Sequence, residues 1–239
     1  MSALRLICFD FDGTLAYMHP THWATYAEAA REAGIELSEA ALASPGVDRA
    51  WDRWMTPNGV AHPEASASAK AFRTVRVEIA MQRMRDAGAQ VDEATLRAAA
   101  ERAATLEAQA NRFRLFDDTR PALARIAAAG ARSLVISNHL WELPEIVEEL
   151  ELAPAFAGVV TSARSGYRKP HPEIYLDALR QAGVEAHEAL MVGDNLHADV
   201  YGAQDAGLHA VFLDRRGRTD IPKDVRVIHS LLEVPLTWP

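Results

Sequence analysis

Leu4-Arg5-Leu6-Ile7-Cys8-Phe9-Asp10-Phe11-Asp12-Gly13-Thr14-Leu15 is the stretch that decides how this chain is read. Its first six residues are a short, largely apolar run bounded downstream by Gly13, and they predict a buried strand. Two carboxylates follow with one residue between them. Strand side chains alternate, so Asp10 and Asp12 are expected on one side, with Phe9 and Phe11 facing the core. Two like charges held that close are costly unless a cation lies beside them or one carries a proton. The pairing points to chemistry at the end of a strand.

Outward from that stretch the chain divides into two kinds of pattern. Residues 16–115 read as an all-helical block. Thr21 to Gly34 has an N-cap and a stop, and a long helix is expected from near Glu64 to Ala87, with another from Asp92 to about Arg112. On the long helix Phe72, Val75 and Ile79 share one face while Val77, Met81 and Met84 share nearly the opposite one, which predicts packing on two sides. From Phe116 the pattern alternates. Helices are expected at Thr119–Ala129, Leu140–Leu150, Pro172–Ala182 and Leu196–Ala206. Strands are expected at 133–136, 158–161, 189–192, 209–213 and 225–228. Repeating β-α units of this length predict an α/β fold with a doubly wound parallel sheet. The expected domains are therefore an α/β core of residues 1–15 and 116–239, and a helical domain, 16–115, inserted after the first strand.

Composition sets the outer bounds. The 239 residues are 49% hydrophobic and 24% charged, as in an ordinary globular protein. A formal charge of −8 argues against a broad footprint on a nucleic-acid polymer or an anionic membrane. The single cysteine, Cys8, sits within the first strand and reads as a small buried hydrophobe. No stretch resembles a signal peptide or a membrane span, so a soluble cytoplasmic protein is expected, as a monomer or homodimer.

In open parallel sheets, ligand sites lie beyond the carboxyl ends of the strands. On that rule Asp10, Asp12, Ser137, Asn138 and Asp194 converge, with Asp199 shortly after the last of them and Lys169 just ahead of a helix. So many carboxylates are not stable as bare charge. Oxygen ligands of this kind favour a hard cation, and Mg²⁺ is the usual choice beside a phosphate. His139, His171 and His197 flank these positions but show no recurrent zinc spacing.

The set resembles the haloacid dehalogenase-like hydrolase superfamily, whose four motifs stand here in order: Asp10-Phe11-Asp12-Gly13-Thr14, Ser137-Asn138, Lys169-Pro170, and Gly193-Asp194 followed by Asp199. The resemblance implies a Rossmann-like core with the insertion as a type-1 cap. It implies Asp10 as the nucleophile forming an aspartyl phosphate, with Asp12 as general acid and then base. Lys169 would neutralise charge, and Thr14, Ser137 and Asn138 would contact substrate. Asp10, the Asp12 carbonyl, Asp194 and Asp199 would hold Mg²⁺. Dehalogenating members carry an aromatic residue where this chain has Asp12, so the resemblance implies hydrolysis of a phosphate ester of a small metabolite. Two alternatives stay open: a phosphosugar mutase or other phosphotransferase, and a regulatory protein that binds a phospho-ligand without turnover. A Schiff base at Lys70, as in phosphonate-cleaving members, fits poorly with its place inside a helix. Tyr17 and Met18 are expected near the leaving group. Trp51 and Trp54, with Arg49 and Arg53 beside them, are expected in the core of the helical block.

Overall fold

Six parallel strands carry the molecule in the computed structural model, which describes residues 2–47 and 61–239. They are β1 (Leu6–Phe9), β2 (Arg132–Ser137), β3 (Phe156–Thr161), β4 (Ala189–Gly193), β5 (His209–Leu213) and β6 (Val227–Ile228). Their order is β3-β2-β1-β4-β5-β6, and every pairing is parallel. A sheet covered on both faces needs strands that are apolar throughout. The central strands comply: Leu6, Ile7, Cys8 and Phe9 are all fully buried, as are Leu190, Met191 and Val192. Burial pushes the Cys8 thiol up to about 12, so it is an inert part of this core. After β3 the chain returns to the far side of β1 to start β4, which makes the β1/β4 junction the point where the strand order reverses.

The chain separates into two compact units, residues 1–17 with 114–239, and residues 18–113. Both crossings fall in a pair of short strands, Ala16–Met18 and Phe113–Leu115. The helical unit contains α1 (His22–Glu32), α2 (Ala69–Asp86) and α3 (Glu93–Glu107). Thr21 caps α1 by accepting from the Ala24 N–H at 3.1 Å. Helix α2 begins later than the Glu64 expected, because the Ser68 hydroxyl caps it by accepting from the Ala71 N–H, leaving Ala65–Ala67 as a separate 3₁₀ turn. Val77, Met81 and Met84 pack with Tyr26, Ala29 and Leu96, while Phe72 and Ile79 are buried as well. Helix α3 stops at Glu107, short of Arg112. That arginine follows in a 3₁₀ turn and pairs with Glu28 of α1 at 2.6 Å. A buried ionic network closes the unit: Glu107 meets Arg76 at 2.8 Å and His22 at 2.7 Å. Burial raises the Glu107 carboxyl, but its contacts with His22 and Arg76 outweigh that and hold it down to about 2. Trp51, Trp54, Arg49 and Arg53 lie outside the described residues.

The sheet-bearing unit adds α4 (Thr119–Ala128), α5 (Leu143–Glu149) and α6 (Pro172–Ala182). Helix α5 begins three residues after the Leu140 expected, with Pro144 in its first turn. The helix expected at Leu196–Ala206 is instead a π-turn, Leu196–Tyr201, followed by a short α segment, Gly202–Asp205. The Tyr175 hydroxyl of α6 donates to the Ala198 carbonyl, and the Gly202 N–H reaches back one residue further, to His197. An outside donor has taken the acceptor that the α-helical ladder needs. No helix among the described residues is long and apolar enough to cross a membrane.

Candidate active site

Strand β1 ends at Phe9, so the acidic pair stands on the turn beyond it and strand alternation does not place Asp12. Asp10 is anchored to the neighbouring strand by its N–H, which donates to Val192 at 3.0 Å. Its carboxylate Oδ1 accepts from the Phe11 N–H at 2.8 Å and faces Lys169 Nζ at 3.0 Å. Asp10 Oδ2 has no bonded partner among the described residues. Phe11 is fully buried, while the Asp12 side chain is 52% exposed and its Oδ2 stands 3.1 Å from His139 Nε2.

Lys169 lies at the centre. Its side chain is almost fully buried, and its ammonium makes three contacts: Asp199 Oδ1 at 2.6 Å, the Ile136 carbonyl at 2.8 Å and Asp10 Oδ1 at 3.0 Å. Three acceptors match its three protons. Burial works to discharge the lysine, but the charges of Asp10 and Asp199 prevail and its pKa is raised. Asn138 fixes the lysine backbone from both sides, accepting from its N–H at 2.8 Å and donating to its carbonyl at 2.9 Å. The carboxamide expected at the substrate is thus taken up at both ends by Lys169. The Lys169–Pro170 peptide is cis.

Asp199 is fully buried and enclosed by donors, with Lys169 on one oxygen and the Asn195 N–H on the other at 3.0 Å. Burial raises its pKa, and the lysine opposes that rise. Asp194 follows β4. Burial, then the charge of Asp10, push its carboxyl up to about 6, with Lys169 and Arg218 pulling the other way. Gly13 lets these parts meet: its φ is +76°, and a Cβ there would lie 2.7 Å from the Asp194 carboxyl carbon. Gly193 is equally confined, since its Cβ would stand 2.5 Å from that of Asp199.

One carboxylate oxygen each from Asp10, Asp194 and Asp199 lie within 4.8 Å of one another. Three carboxylates against one lysine leave net negative charge in a largely buried space, and the donors are all hard oxygens. The cluster can hold a metal ion of the hard divalent class. Ser137 ends β2 with a buried side chain, and its hydroxyl makes no hydrogen bond among the described residues. Thr14 is fully buried, its hydroxyl has no partner among the described residues, and its carbonyl accepts from Arg215 at 2.8 Å. His171 caps α6 and stacks on Tyr167. Lys70 is exposed in the first turn of α2.

Residues 4–207 match the family model for haloacid dehalogenase-like hydrolases. The chain belongs to that family. A phosphoserine phosphatase of Thermus thermophilus is 29% identical over 248 residues, covering 94% of this chain and 95% of that protein. A glyceraldehyde 3-phosphate phosphatase of Pyrococcus abyssi is 38% identical over a shorter stretch of 97 residues, 39% of this chain and 40% of that one. Among solved structures, a 2-haloacid dehalogenase from Pseudomonas syringae pv. tomato superposes with a TM-score of 0.66 at 25% identity, over 96% of this chain and 95% of that one. The α/β fold with a parallel, Rossmann-like sheet is the fold of this family, and the chain is a hydrolase of it.

Two parts of the site are not legible in the sequence. His139 stands in the sequence only as a neighbour of the second motif, and its pairing with Asp12 depends on the turn after β1. The loop after β5, residues 214–218, carries Arg215, whose guanidinium binds Asp118 and the Thr14 carbonyl at 2.8 Å each. The rule that sites form beyond strand ends would have pointed to that loop.

Proposed function

We propose that this chain is a Mg²⁺-dependent phosphomonoesterase that works through an aspartyl phosphate on Asp10. The observation that carries the reading is the Asp10 carboxylate. One oxygen is held by Lys169 and the Phe11 N–H, and the other is unengaged among the described residues, as a nucleophile oriented for attack requires. Asp10 Oδ2 attacks phosphorus, the ester P–O bond breaks, and the leaving alkoxide takes a proton from Asp12. Asp12 then accepts a proton from water as that water attacks the phosphoryl group, releasing inorganic phosphate and restoring Asp10. Partial exposure of Asp12 suits a group that must reach both the alcohol and water. Lys169 neutralises charge on Asp10 and on the phosphoryl oxygens, and the Ser137 hydroxyl donates to one of them. Asn138 and Asp199 position Lys169.

Asp10 and Asp194 with the Asp12 carbonyl would hold Mg²⁺, with Asp199 behind them, and a cation there offsets the negative charge of phosphate and carboxylate. The helical unit, 18–113, would be the cap of the resembled type-1 class, and the substrates would be small phosphorylated metabolites. Phosphatase names among the relatives support phosphate esters as substrates, and Asp12 supports them over alkyl halides. A screen for Mg²⁺-dependent phosphate release over a metabolite panel tests the reading. Activity is expected in wild type and lost in Asp10→Asn, and full activity in that variant would falsify it.

A further inference from the structure

We infer that the loop following β5 forms a second anion-binding subsite, and that the substrate is a phosphomonoester whose leaving group carries another negative charge. The inference rests on the phosphomonoesterase reading and narrows its substrate class. A cavity of about 380 Å³ in the sheet-bearing unit is bordered by Gly13, Asp194, Tyr17, Phe116, Arg216 and Arg218. That volume suits a small metabolite. Part of its lining, Gly13 and Asp194, belongs to the reaction centre, and part of it is cationic.

The loop is built to present those cations. Asp214 is buried, and its carboxylate accepts from three backbone N–H groups of the loop: Arg216 at 3.1 Å, Gly217 at 3.0 Å and Arg218 at 2.6 Å. The only carboxylate in the loop is therefore committed to shaping the backbone. Arg215 is committed too. Its guanidinium lies 3.9 Å over the Phe116 ring, binds both oxygens of Asp118 and bonds to Thr14. Arg216 and Arg218 differ: both are exposed and neither forms an ion pair among the described residues, while Arg218 lies 5.4 Å over the Phe212 ring and its charge reaches the Asp194 carboxyl. In a chain with an excess of acidic residues, two unpaired arginines on a braced loop beside the reaction centre constitute a receptor for an anion. Tyr17 and Phe116, with ring centroids 5.0 Å apart, offer an apolar side for the carbon skeleton between the two charges. The second anion can be a carboxylate or a second phosphate, since arginine forks bind either.

Two matched pairs of substrates test this: phosphoglycolate against ethylene glycol monophosphate, and a hexose bisphosphate against the corresponding monophosphate. Wild type is expected to favour at least one doubly anionic member in kcat/KM, and the favoured pair identifies the second anion. The R216Q/R218Q variant should lose about tenfold or more of that preference, and R216K/R218K, which keeps the charge without the fork, should fall between it and wild type. R226Q, which removes a charge stacked on Trp238 and away from the cavity, should leave the preference unchanged. Equal preference in wild type and R216Q/R218Q, or no preference in wild type despite phosphatase activity, overturns the subsite alone. Absence of phosphate release from every ester removes the phosphomonoesterase reading and the subsite with it.

Discussion

Replacing Lys169 by Met removes one ammonium and leaves the Asp199 carboxylate buried without its counter-charge. In wild type the lysine contacts Asp199 at 2.6 Å, the Ile136 carbonyl at 2.8 Å and Asp10 at 3.0 Å, with the Asp199 side chain fully buried. Breaking one partner of such a pair destabilises by about 3–5 kcal/mol, because the surviving charge has no water. The double variant K169M/D199N removes that charge and should recover more than half of the loss. Catalysis should not follow. A preorganised cation facing the nucleophile and the phosphoryl group contributes on the order of 3 kcal/mol to the barrier, so both variants should lose at least about a hundredfold in kcat. Urea unfolding followed by circular dichroism gives the stabilities, and phosphate release gives the rates. If activity returns in the double variant in step with stability, Lys169 is a structural residue and the charge-neutralising role is wrong. If K169M is as stable as wild type, the buried-pair argument fails instead.

Other positions give independent tests. Gly193→Ala would force a Cβ against Asp199, so it should lower kcat at least about tenfold and destabilise by roughly 1–3 kcal/mol, read by the same two assays. Asn138→Ala removes two hydrogen bonds that hold the Lys169 backbone, at a cost of about 2 kcal/mol in stability. Its main kinetic effect should appear in kcat rather than KM. Acid should weaken the helical unit through Glu107. Its carboxyl is held at about 2 when folded against an ordinary 4.5, so the stabilisation is complete above about pH 4.5 and fades as pH falls toward about 2. The stability deficit of Glu107→Gln relative to wild type should therefore shrink by about 3 kcal/mol over that range.

Much of this architecture is legible in the sequence for a physical reason. Asp10, Ser137 and Asp194 each stand at the end of a short apolar run that reads as a buried strand, and the strand-end rule brings them to one edge of the sheet. What sequence cannot reveal are bonds that depend on where an outside donor lies. Tyr175 captures the Ala198 carbonyl and turns an expected α-helix into a π-turn. Asn138 reads as a substrate ligand, but its carboxamide fits the Lys169 peptide 31 positions away. Arg76 and Glu107 each look like solvent-facing helix residues, and only the packing of α2 on α3 buries them as a pair. Asp12 illustrates the same limit. Alternation along a strand predicts its direction, whereas a turn and the His139 ring place it.

The central claim is covalent attachment of the phosphoryl group to Asp10, and chemical trapping addresses it most directly. Acid quench during turnover of an active substrate, followed by borohydride reduction and peptide mapping, converts an aspartyl phosphate to homoserine at the attacked position. Homoserine is expected at position 10, formed only with substrate and absent from Asp10→Asn. Turnover that leaves Asp10 unmodified under these conditions, or homoserine at position 12 or 194 instead, would contradict it.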